Sequence, residues 1–341
     1  MTAALACADR GLAVALSSRA RPGAASGAAA GLLAPIAAGA TDAVVAFATA
    51  CRDSWPSYVA ALAERSRTRL SLNRLGIIQL PVDGADADRL RNSRREGTDW
   101  LEPAQVAALE PTLSAPLGAV LRHRDGAVDN EHLMLALDEA IAMTPRITLV
   151  GAARGIRLND DSNELLLADG DSMAAGRIVL AAGAWVPALA GLPRALPIVP
   201  VRGQMIGFAV STVRHVVEGP DAYLVPRPGQ RTIVGATMEQ AGFDAGTTAS
   251  AAAELAAAAG RLVPRLASLS HSEHWAGLRP MTPDQLPILG PDPDHRALLY
   301  ACGHSRNGIL MATLTAECIG ALAADESSPW SLAPFSVTRF T

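Results

Sequence analysis

The chain contains no lysine, because all 29 of its basic residues are arginine. An enzyme that forms a Schiff base with pyridoxal phosphate needs a lysine amine, and a P-loop needs a lysine on its bound phosphates. Both chemistries are therefore excluded. The formal net charge of −4 also lacks the basic excess that nucleic-acid binding requires, so we expect no nucleic-acid partner.

Other signatures are missing as well. The sequence contains no H-E-x-x-H or paired metal-ligand spacing and no G-x-S-x-G, which disfavours metal and serine hydrolases, and we expect no metal. No uncharged apolar run is long enough for a membrane span. The cysteines Cys7, Cys51, Cys302 and Cys318 include no C-x-x-C pair. Their scatter predicts reduced, mostly buried thiols in a cytoplasmic protein.

The first half of the chain alternates helical and strand-like patterns. The opening residues predict a helix that ends at Gly11, a strand over Leu12–Leu16 and then a small-residue loop. This order is typical of the back half of a βαβ unit. Asp129 is a predicted N-cap of a helix that runs to Ile141. A turn at residues 169–171 predicts a strand over Gly176–Ala181.

The second half changes character. Three alternating stretches, Gly203–Val210, Tyr223–Pro226 and Thr232–Thr237, predict antiparallel strands. They are followed by an alanine-rich helical stretch over Ala249–Leu266. Near the end, a turn leads into an apolar helix over Ile309–Ala323.

Together these patterns predict an α/β fold, in which a Rossmann-like nucleotide-binding domain that lacks its first strand is interleaved with a second domain on a mixed, largely antiparallel sheet. Ligands of such sheets bind at the carboxyl ends of the strands. We assign residues 1–45, 125–200 and 275–341 to the nucleotide-binding domain. Residues 46–124 and 201–274 form the predicted substrate domain.

Two stretches could bind phosphate or a cofactor ring. Small residues over Ser26–Leu33 allow a backbone to approach a ligand closely, although a flexible linker has the same composition. The turn that begins at Gly303 leads into an apolar helix, whose dipole suits a negatively charged ring. An ordinary helix cap is the alternative for that turn.

Two further stretches could bind a substrate. Arg279 lies in an apolar, strand-like run and precedes a proline, and a buried guanidinium usually pairs with an anion. A structural ion pair within the protein is the alternative. Tyr223 could donate to a carboxylate, and Met238 could line a small pocket from a neighbouring strand. Both residue types are also common in hydrophobic cores.

Taken in this order and spacing, these stretches resemble the flavin-dependent amino-acid oxidase superfamily, which includes D-amino-acid oxidase, sarcosine oxidase and glycine oxidase. The resemblance is strongest to the glycine oxidase of thiamine thiazole synthesis and covers essentially the whole chain. The sequences that carry it are RPGAASGAAAGLLAP, IVLAAGAW, PVRGQM, AYLVPR, IVGATME, WAGLRPMTPDQLPILG and GHSRNGIL. It implies FAD as cofactor, a small amino acid or amine and dioxygen as substrates, and release of an oxo acid, ammonia and hydrogen peroxide.

The resemblance also implies roles for individual residues. Arg279 would bind the substrate carboxylate with help from Tyr223, Arg306 would lie beside the substrate, and Met238 would restrict the pocket to small amino acids. It implies no general base. The residues that would contact FAD are Ser26, Gly27, Gly31, Leu32, Leu33, Trp185, Gly303, His304, Ser305, Arg306, Asn307, Gly308, Ile309 and Leu310.

Three departures from the family pattern leave alternatives open. The sequence lacks G-x-G-x-x-G, Ser17 stands where an acidic residue would bind ribose, and Ser305 stands where an aromatic is common. One hypothesis is that Met1 is an internal methionine of a longer reading frame. The other functions are a D-amino-acid oxidase or dehydrogenase of different substrate range, and a non-catalytic paralogue without flavin. A homo-oligomer is also left open.

Overall fold

The computed structural model of the protein describes residues 1–35, 41–93, 96–114, 116–159 and 162–340. The helices in these residues are α1 (Thr2–Asp9), α2 (Ala25–Ala28), α3 (Asp42–Ala63), α4 (Gly84–Asn92), α5 (Pro103–Leu109), α6 (Asn130–Ala142), α7 (Ala249–Leu262) and α8 (Gly308–Ala323). Short 3-10 helices cover Gly183–Ala188, Pro264–Ser268, Ala333–Phe335 and Val337–Phe340.

The strands in the same residues are short, and most belong to small sheets. They are β1 (Val14–Ser17), β2 (Leu32–Leu33), β3 (Leu72–Asn73), β4 (Ile77–Gln79), β5 (Thr98–Leu101), β6 (Ala119–Arg122), β7 (Gly126–Val128), β8 (Ile147–Val150), β9 (Ala153–Leu158), β10 (Asn163–Leu167), β11 (Ser172–Ala175), β12 (Ile178–Leu180), β13 (Val199–Phe208), β14 (Val216–Glu218), β15 (Tyr223–Arg227), β16 (Arg231–Gly235), β17 (Glu273–Met281), β18 (Ile288–Pro291) and β19 (Leu298–Cys302).

The largest sheet of the described structure has the strand order β17-β13-β16-β15-β14-β4-β6-β5. Its neighbours pair antiparallel except for β14 and β4, which are parallel. The predicted mixed, largely antiparallel sheet is therefore confirmed. The inner part of this sheet is buried because α7 packs its alanine-rich face against one side of β13 and β16.

Two parallel strand pairs lie outside the large sheet. β1 pairs with β8, and β12 pairs with β19, which also pairs antiparallel with β18. The predicted strand over Gly176–Ala181 is correct in position for Ile178–Leu180, but its partner is β19. The strand that follows the turn at residues 169–171 is β11, which forms a hairpin with β10. The local turn fixed that hairpin, whereas the pairing of β12 required a partner about 120 residues away along the chain.

Helices α1, α3, α6 and α8 pack into one apolar core. Fully buried Phe47 and Trp55 of α3 lie in it, and the indole Nε1 of Trp55 donates to the carbonyl of Leu310 at 3.1 Å. The predicted cap is confirmed, since the Asp129 side chain accepts from the amides of Glu131 and His132 at the start of α6. All four cysteines are unpaired and buried, as predicted.

The division into two domains remains a proposal. The boundary at residue 45 falls within α3, which packs on α8, and the boundary at residue 274 falls within β17. No helix of the described residues is long and apolar enough to cross a membrane.

Candidate functional site

A cavity of about 1610 Å³ lies between the large sheet and the two parallel pairs. The carboxyl ends of β12 and β19, the N-terminal turns of α1 and α8, and the free edges of β1 and β12 all border it. Pockets for drug-sized ligands span roughly 300–1,000 Å³. The cavity is therefore large enough for a dinucleotide together with a small substrate.

Most of the predicted site residues lie in the wall of this cavity, although they come from six separate stretches of the chain. Leu33 and Leu310 are not among the residues of this wall. Their side chains are 3% and 1% exposed and pack in the core around Phe47, so only their backbone could contact a ligand in the cavity. Their predicted contact with the cofactor stays a prediction. The predicted residues that line the cavity are Ser26, Gly27, Gly31, Leu32, Trp185, Tyr223, Met238, Gly303, His304, Ser305, Arg306, Asn307, Gly308, Ile309 and Arg279.

Arg279 projects from β17 across a glycine on the neighbouring strand. A Cβ at Gly203 would lie inside van der Waals distance of both terminal nitrogens of Arg279, so the glycine makes room for the guanidinium. Nη1 donates to the carbonyl of Thr237 at 3.0 Å. Among the described residues, Arg279 forms no ion pair with a carboxylate, so the structural ion pair considered above is not found. Burial lowers the pKa of Arg279, which shows that an anion would stabilise its charge.

Tyr223 faces the same space from β15. A Cβ at Gly235, its partner across the strand pair, would collide with the phenol. The hydroxyl lies 3.9 Å from the sulfur of Met205, which is a weak acceptor, and burial raises the pKa of Tyr223. The hydroxyl therefore stays protonated and able to donate. Arg306 is exposed to the cavity and, within the described structure, also lacks an acidic partner.

Met238 and Trp185 border the predicted substrate end of the cavity. Met238 is 55% exposed and lines the wall, so it is not a core residue. Trp185, after β12, packs against Phe243 with ring centroids 5.8 Å apart, and the guanidinium of Arg21 lies 5.2 Å from the Trp185 ring. Three separate loops thus meet at this point.

The turn before α8 has the backbone that its sequence suggested. Gly303 has a φ of +68°, and Ser305 has a φ of +52°, a region that non-glycine residues rarely adopt. The side chain of Ser305 is buried and donates to the carbonyl of Gly303 at 3.3 Å. The N-cap of α8 is Asn307, whose side chain makes no capping hydrogen bond. The helix N-terminus therefore faces the cavity without a side-chain cap, unlike the ordinary cap considered above.

His304 lies in this turn. Its Nε2 is 3.2 Å from the Thr315 hydroxyl, and burial lowers its pKa to about 4. The imidazole is therefore neutral at neutral pH and adds no positive charge to the two arginines.

The segment Ser26–Gly31 is held from behind by side chains that the sequence patterns did not single out. Asn130 donates to the carbonyls of Ser26 and Gly27, Trp275 donates to that of Ala28, and Arg227 donates to that of Ala30. These contacts distinguish it from a flexible linker. Arg227 carries the same signal as Arg279, an arginine in an apolar strand beside a proline, but its role depends on distant contacts.

Ser17 ends β1 at the cavity wall. Its hydroxyl donates to the carbonyl of Gly151 at 2.8 Å and accepts from the amide of Ala153 at 2.8 Å. The side chain thus ties β1 to the loop after β8. Both hydrogen-bonding roles of this hydroxyl are used inside the protein.

The cavity fits an FAD molecule on two structural grounds. Gly31 lines the cavity with a φ of +65°, and because a Cβ there would collide with the carbonyl of Val128, its backbone fits between β7 and the cavity only as a glycine. The N-terminal residues of α1 and α8 line the same space, and helix N-termini favour negatively charged groups. A ring at the α8 end and phosphates toward α1 would satisfy both.

Comparisons with known proteins indicate the same cofactor and the same fold. A family model described as FAD dependent oxidoreductase matches residues 1–322. The glycine oxidase of Geobacillus kaustophilus is 32% identical in sequence over 92% of this chain and 87% of that protein. The crystal structure of a glycine oxidase from the same organism superposes with a TM-score of 0.88, over 99% of this chain and 95% of that chain, at 30% identity. Iminodiacetate oxidase from Chelativorans sp. BNC1 has a TM-score of 0.88 at 28% identity, over 98% and 95%. The bifunctional protein ThiO/ThiG of Synechocystis is 34% identical over 93% of this chain, which spans about half, 48%, of that protein.

Proposed function

The chain belongs to the family of FAD-dependent oxidoreductases, and we propose that it oxidises glycine or another small amino acid or amine to an oxo acid, ammonia and hydrogen peroxide. The balanced reaction for glycine consumes one dioxygen and one water and yields glyoxylate, ammonia and hydrogen peroxide. The similarity to glycine oxidases supports this choice, as does the ThiO part of the bifunctional relative for a role in thiamine thiazole synthesis.

One observation carries the proposal. Arg279, Tyr223 and Arg306 meet in one cavity, and neither arginine has an acidic partner within the described residues. Two unpaired guanidinium groups and a protonated phenol are a favourable site for a carboxylate. The uncapped turn before α8 lies in the wall of the same cavity. A substrate held by its carboxylate would therefore have its α-carbon between these donors and a ring seated at that turn.

The chain's own residues bind and orient the substrate. Arg279, fixed by the Thr237 carbonyl and by the gap at Gly203, holds the carboxylate, and Tyr223 donates a second hydrogen bond. FAD, when bound, supplies the chemistry by accepting a hydride equivalent and passing two electrons to dioxygen. Orientation of the reacting carbon is a large part of such catalysis. This is consistent with the expectation from the sequence that no residue acts as a general base.

Substrate size follows from the border of the pocket. Met238 projects into the substrate end of the cavity, and Trp185 with Phe243 closes part of its side. We propose that these side chains limit the pocket to small amino acids. We therefore place glycine, and small N-substituted glycines, before larger D-amino acids.

The first experiment is the visible absorption spectrum of the purified chain with added FAD, followed by glycine under anaerobic conditions. We expect a protein-bound flavin whose absorbance near its longest-wavelength band is lost on adding glycine and returns with air. Hydrogen peroxide and dye reduction, measured in parallel, distinguish an oxidase from a dehydrogenase.

Two outcomes would contradict the proposal. A folded chain that binds no FAD would point to the non-catalytic alternative, and a bound flavin that no small amino acid or iminodiacetate reduces would reject this substrate class.

A cytoplasmic location and a homo-oligomeric state remain expectations from the sequence. Cell fractionation would test the location, and gel filtration would test the oligomeric state.

A further inference from the structure

The backbone of Ser26–Gly31 lies between the cavity and three donor side chains. Residues Gly27 and Gly31 line the cavity, whereas in the described structure Arg227, Asn130 and Trp275 lie behind the segment and not in the cavity wall. The segment is therefore a single layer with a ligand-facing side and a side that faces the protein.

Arg227 is at the centre of the contacts behind this layer. It is 7% exposed, and its Nη2 donates to the carbonyl of Ala30 and to Oδ1 of Asn130, both at 2.9 Å. Its Nη1 donates to the carbonyl of Val128 at 3.1 Å. Asn130 is 1% exposed and turns its Nδ2 to the carbonyls of Ser26, at 3.1 Å, and Gly27, at 3.0 Å. One guanidinium thus orients the amide that holds the other end of the segment.

The orientation of these carbonyls fixes the orientation of the N–H groups that follow them. In a planar trans peptide, the C=O and the N–H of one unit point in opposite directions. The carbonyl of Ser26 belongs to the same unit as the N–H of Gly27, and that of Ala30 to the same unit as the N–H of Gly31. When Asn130 and Arg227 draw both carbonyls backward, both N–H groups point toward the cavity.

The charge of Arg227 adds to this effect. Among the described residues it forms no ion pair with a carboxylate, and its contacts are neutral carbonyl and amide oxygens. Burying a cation without a paired anion lowers the stability of the folded chain, so such a residue calls for a functional explanation. Directly in front of it lies the wall of a cavity that fits a cofactor with negatively charged phosphates.

We propose that Arg227 is a positioning residue, which together with Asn130 turns the N–H groups of Gly27 and Gly31 toward the cofactor and thereby sets the affinity for FAD. The proposal rests on the proposed function, because it takes FAD as the ligand of this cavity. Arg227 touches neither substrate nor cofactor and acts only through the segment.

The test compares three variants of the full chain with the unsubstituted protein. Arg227→Lys keeps the charge but not the fork of donors, Arg227→Met removes both, and Trp275→Phe removes only the donor to the Ala28 carbonyl while keeping an aromatic ring. Arg157→Met, which removes an exposed partner of Glu164 on β9, is the control. For each protein, the dissociation constant of FAD is measured by flavin fluorescence and the fold of the apoprotein by circular dichroism.

We expect the dissociation constant of FAD to rise by about 30-fold in Arg227→Met, less in Arg227→Lys and about threefold in Trp275→Phe, with no change in the control. Hydrogen exchange of the backbone amides in residues 25–33 gives a readout that does not depend on turnover. FAD should slow this exchange in the unsubstituted chain and slow it less in Arg227→Lys.

If Arg227→Met does not fold, Arg227→Lys and Trp275→Phe decide the question. Folded variants that bind FAD as tightly as the unsubstituted chain, with equal protection of residues 25–33, would overturn the positioning role and leave the proposed function intact. An unsubstituted, folded chain that binds no FAD would overturn the proposed function and the positioning role together.

Discussion

The two walls of the cavity are built in different ways. The wall on the large sheet presents Arg279 and Tyr223, each of which fits beside a glycine of the neighbouring strand, and Arg306 reaches the cavity from the turn before α8. The wall formed by α1, β1 and β12 presents mainly small apolar side chains and backbone, such as Ala3 and Ala15. We therefore expect the first wall to bind its ligand through side-chain donors and the second wall to bind its ligand through backbone N–H groups and shape.

Because the two walls differ, we expect one set of substitutions to change substrate binding and another set to change cofactor binding. A side-chain change on the large sheet should alter turnover of substrate and leave FAD in place. A backbone change in the segment Ser26–Gly31 should alter the affinity for FAD. The four predictions below run from the largest expected effect to the smallest.

Arg279→Met should lower kcat/KM for glycine by about 1,000-fold, because truncating one partner of a buried charge pair costs roughly 2–5 kcal/mol or more. The dissociation constant of FAD, measured by fluorescence titration, should stay within about twofold of the value for the unsubstituted protein. The reason is that we expect FAD to bind mainly to the other wall. Steady-state peroxide production measures the first quantity, with Arg157→Met as the matched control. A decrease in kcat/KM of less than about tenfold would show that Arg279 does not bind the substrate carboxylate.

Gly31→Ala should weaken FAD binding by about 30-fold or more and lower the free energy of unfolding by about 2 kcal/mol. An alanine would have to keep a φ of +65° and would drive its Cβ into the carbonyl of Val128. Gly84→Ala is the control, because nothing lies within 4 Å of a Cβ at that position. Equal FAD affinity in both variants would show that the backbone of this segment does not contact the cofactor.

Tyr223→Phe should lower kcat/KM for glycine by about tenfold, the size expected for a lost hydrogen bond to a charged group. The ring packs as before, because the gap at Gly235 remains. The effect should appear mainly in KM if the hydroxyl binds the substrate carboxylate equally in ground and transition states. No change in either constant would assign Tyr223 a packing role only.

His304→Gln should make stability less sensitive to acid. The folded pKa of His304, about 4, lies below its ordinary value of 6.5, so between these values the unfolded chain takes up a proton that the folded chain does not. Stability from this group is therefore lost as pH falls from 6.5 toward 4. Denaturant titrations should show about 1 kcal/mol more loss between pH 6.5 and 5.5 in the unsubstituted protein than in the variant. Parallel pH profiles would contradict this.

Local sequence patterns predicted many elements well. Asp129 caps α6, and the three alternating stretches form neighbouring antiparallel strands. The helix cap and the position of each strand depend on residues that lie close together in the sequence. The pairing of β12 with β19 instead of a hairpin partner was missed, because strand pairing across the chain leaves no local mark.

The candidate site shows the same limit. Arg279, Tyr223 and the turn at Gly303 could be selected from the sequence because each is an unusual residue type in its local context. The core positions of the Leu33 and Leu310 side chains could not be read from the sequence, because a side chain beside a cavity and one in the core next to it have similar local sequences. Only the fold shows which face of β2 and α8 each side chain occupies.

The sequence by itself determined the family and the cofactor class, through the resemblance that its short motifs carry, and it singled out the residues that could hold a carboxylate by their type and local context. Only the tertiary structure decided that Arg279 has no acidic partner among the described residues and that Arg227 and Trp275 converge behind one short segment. The contacts concerned join residues 97 positions apart, for Arg227 and Asn130, and 247 apart, for Trp275 and Ala28. Hydrogen bonds over such separations depend on how sheets and helices pack, so no local pattern of residues encodes them.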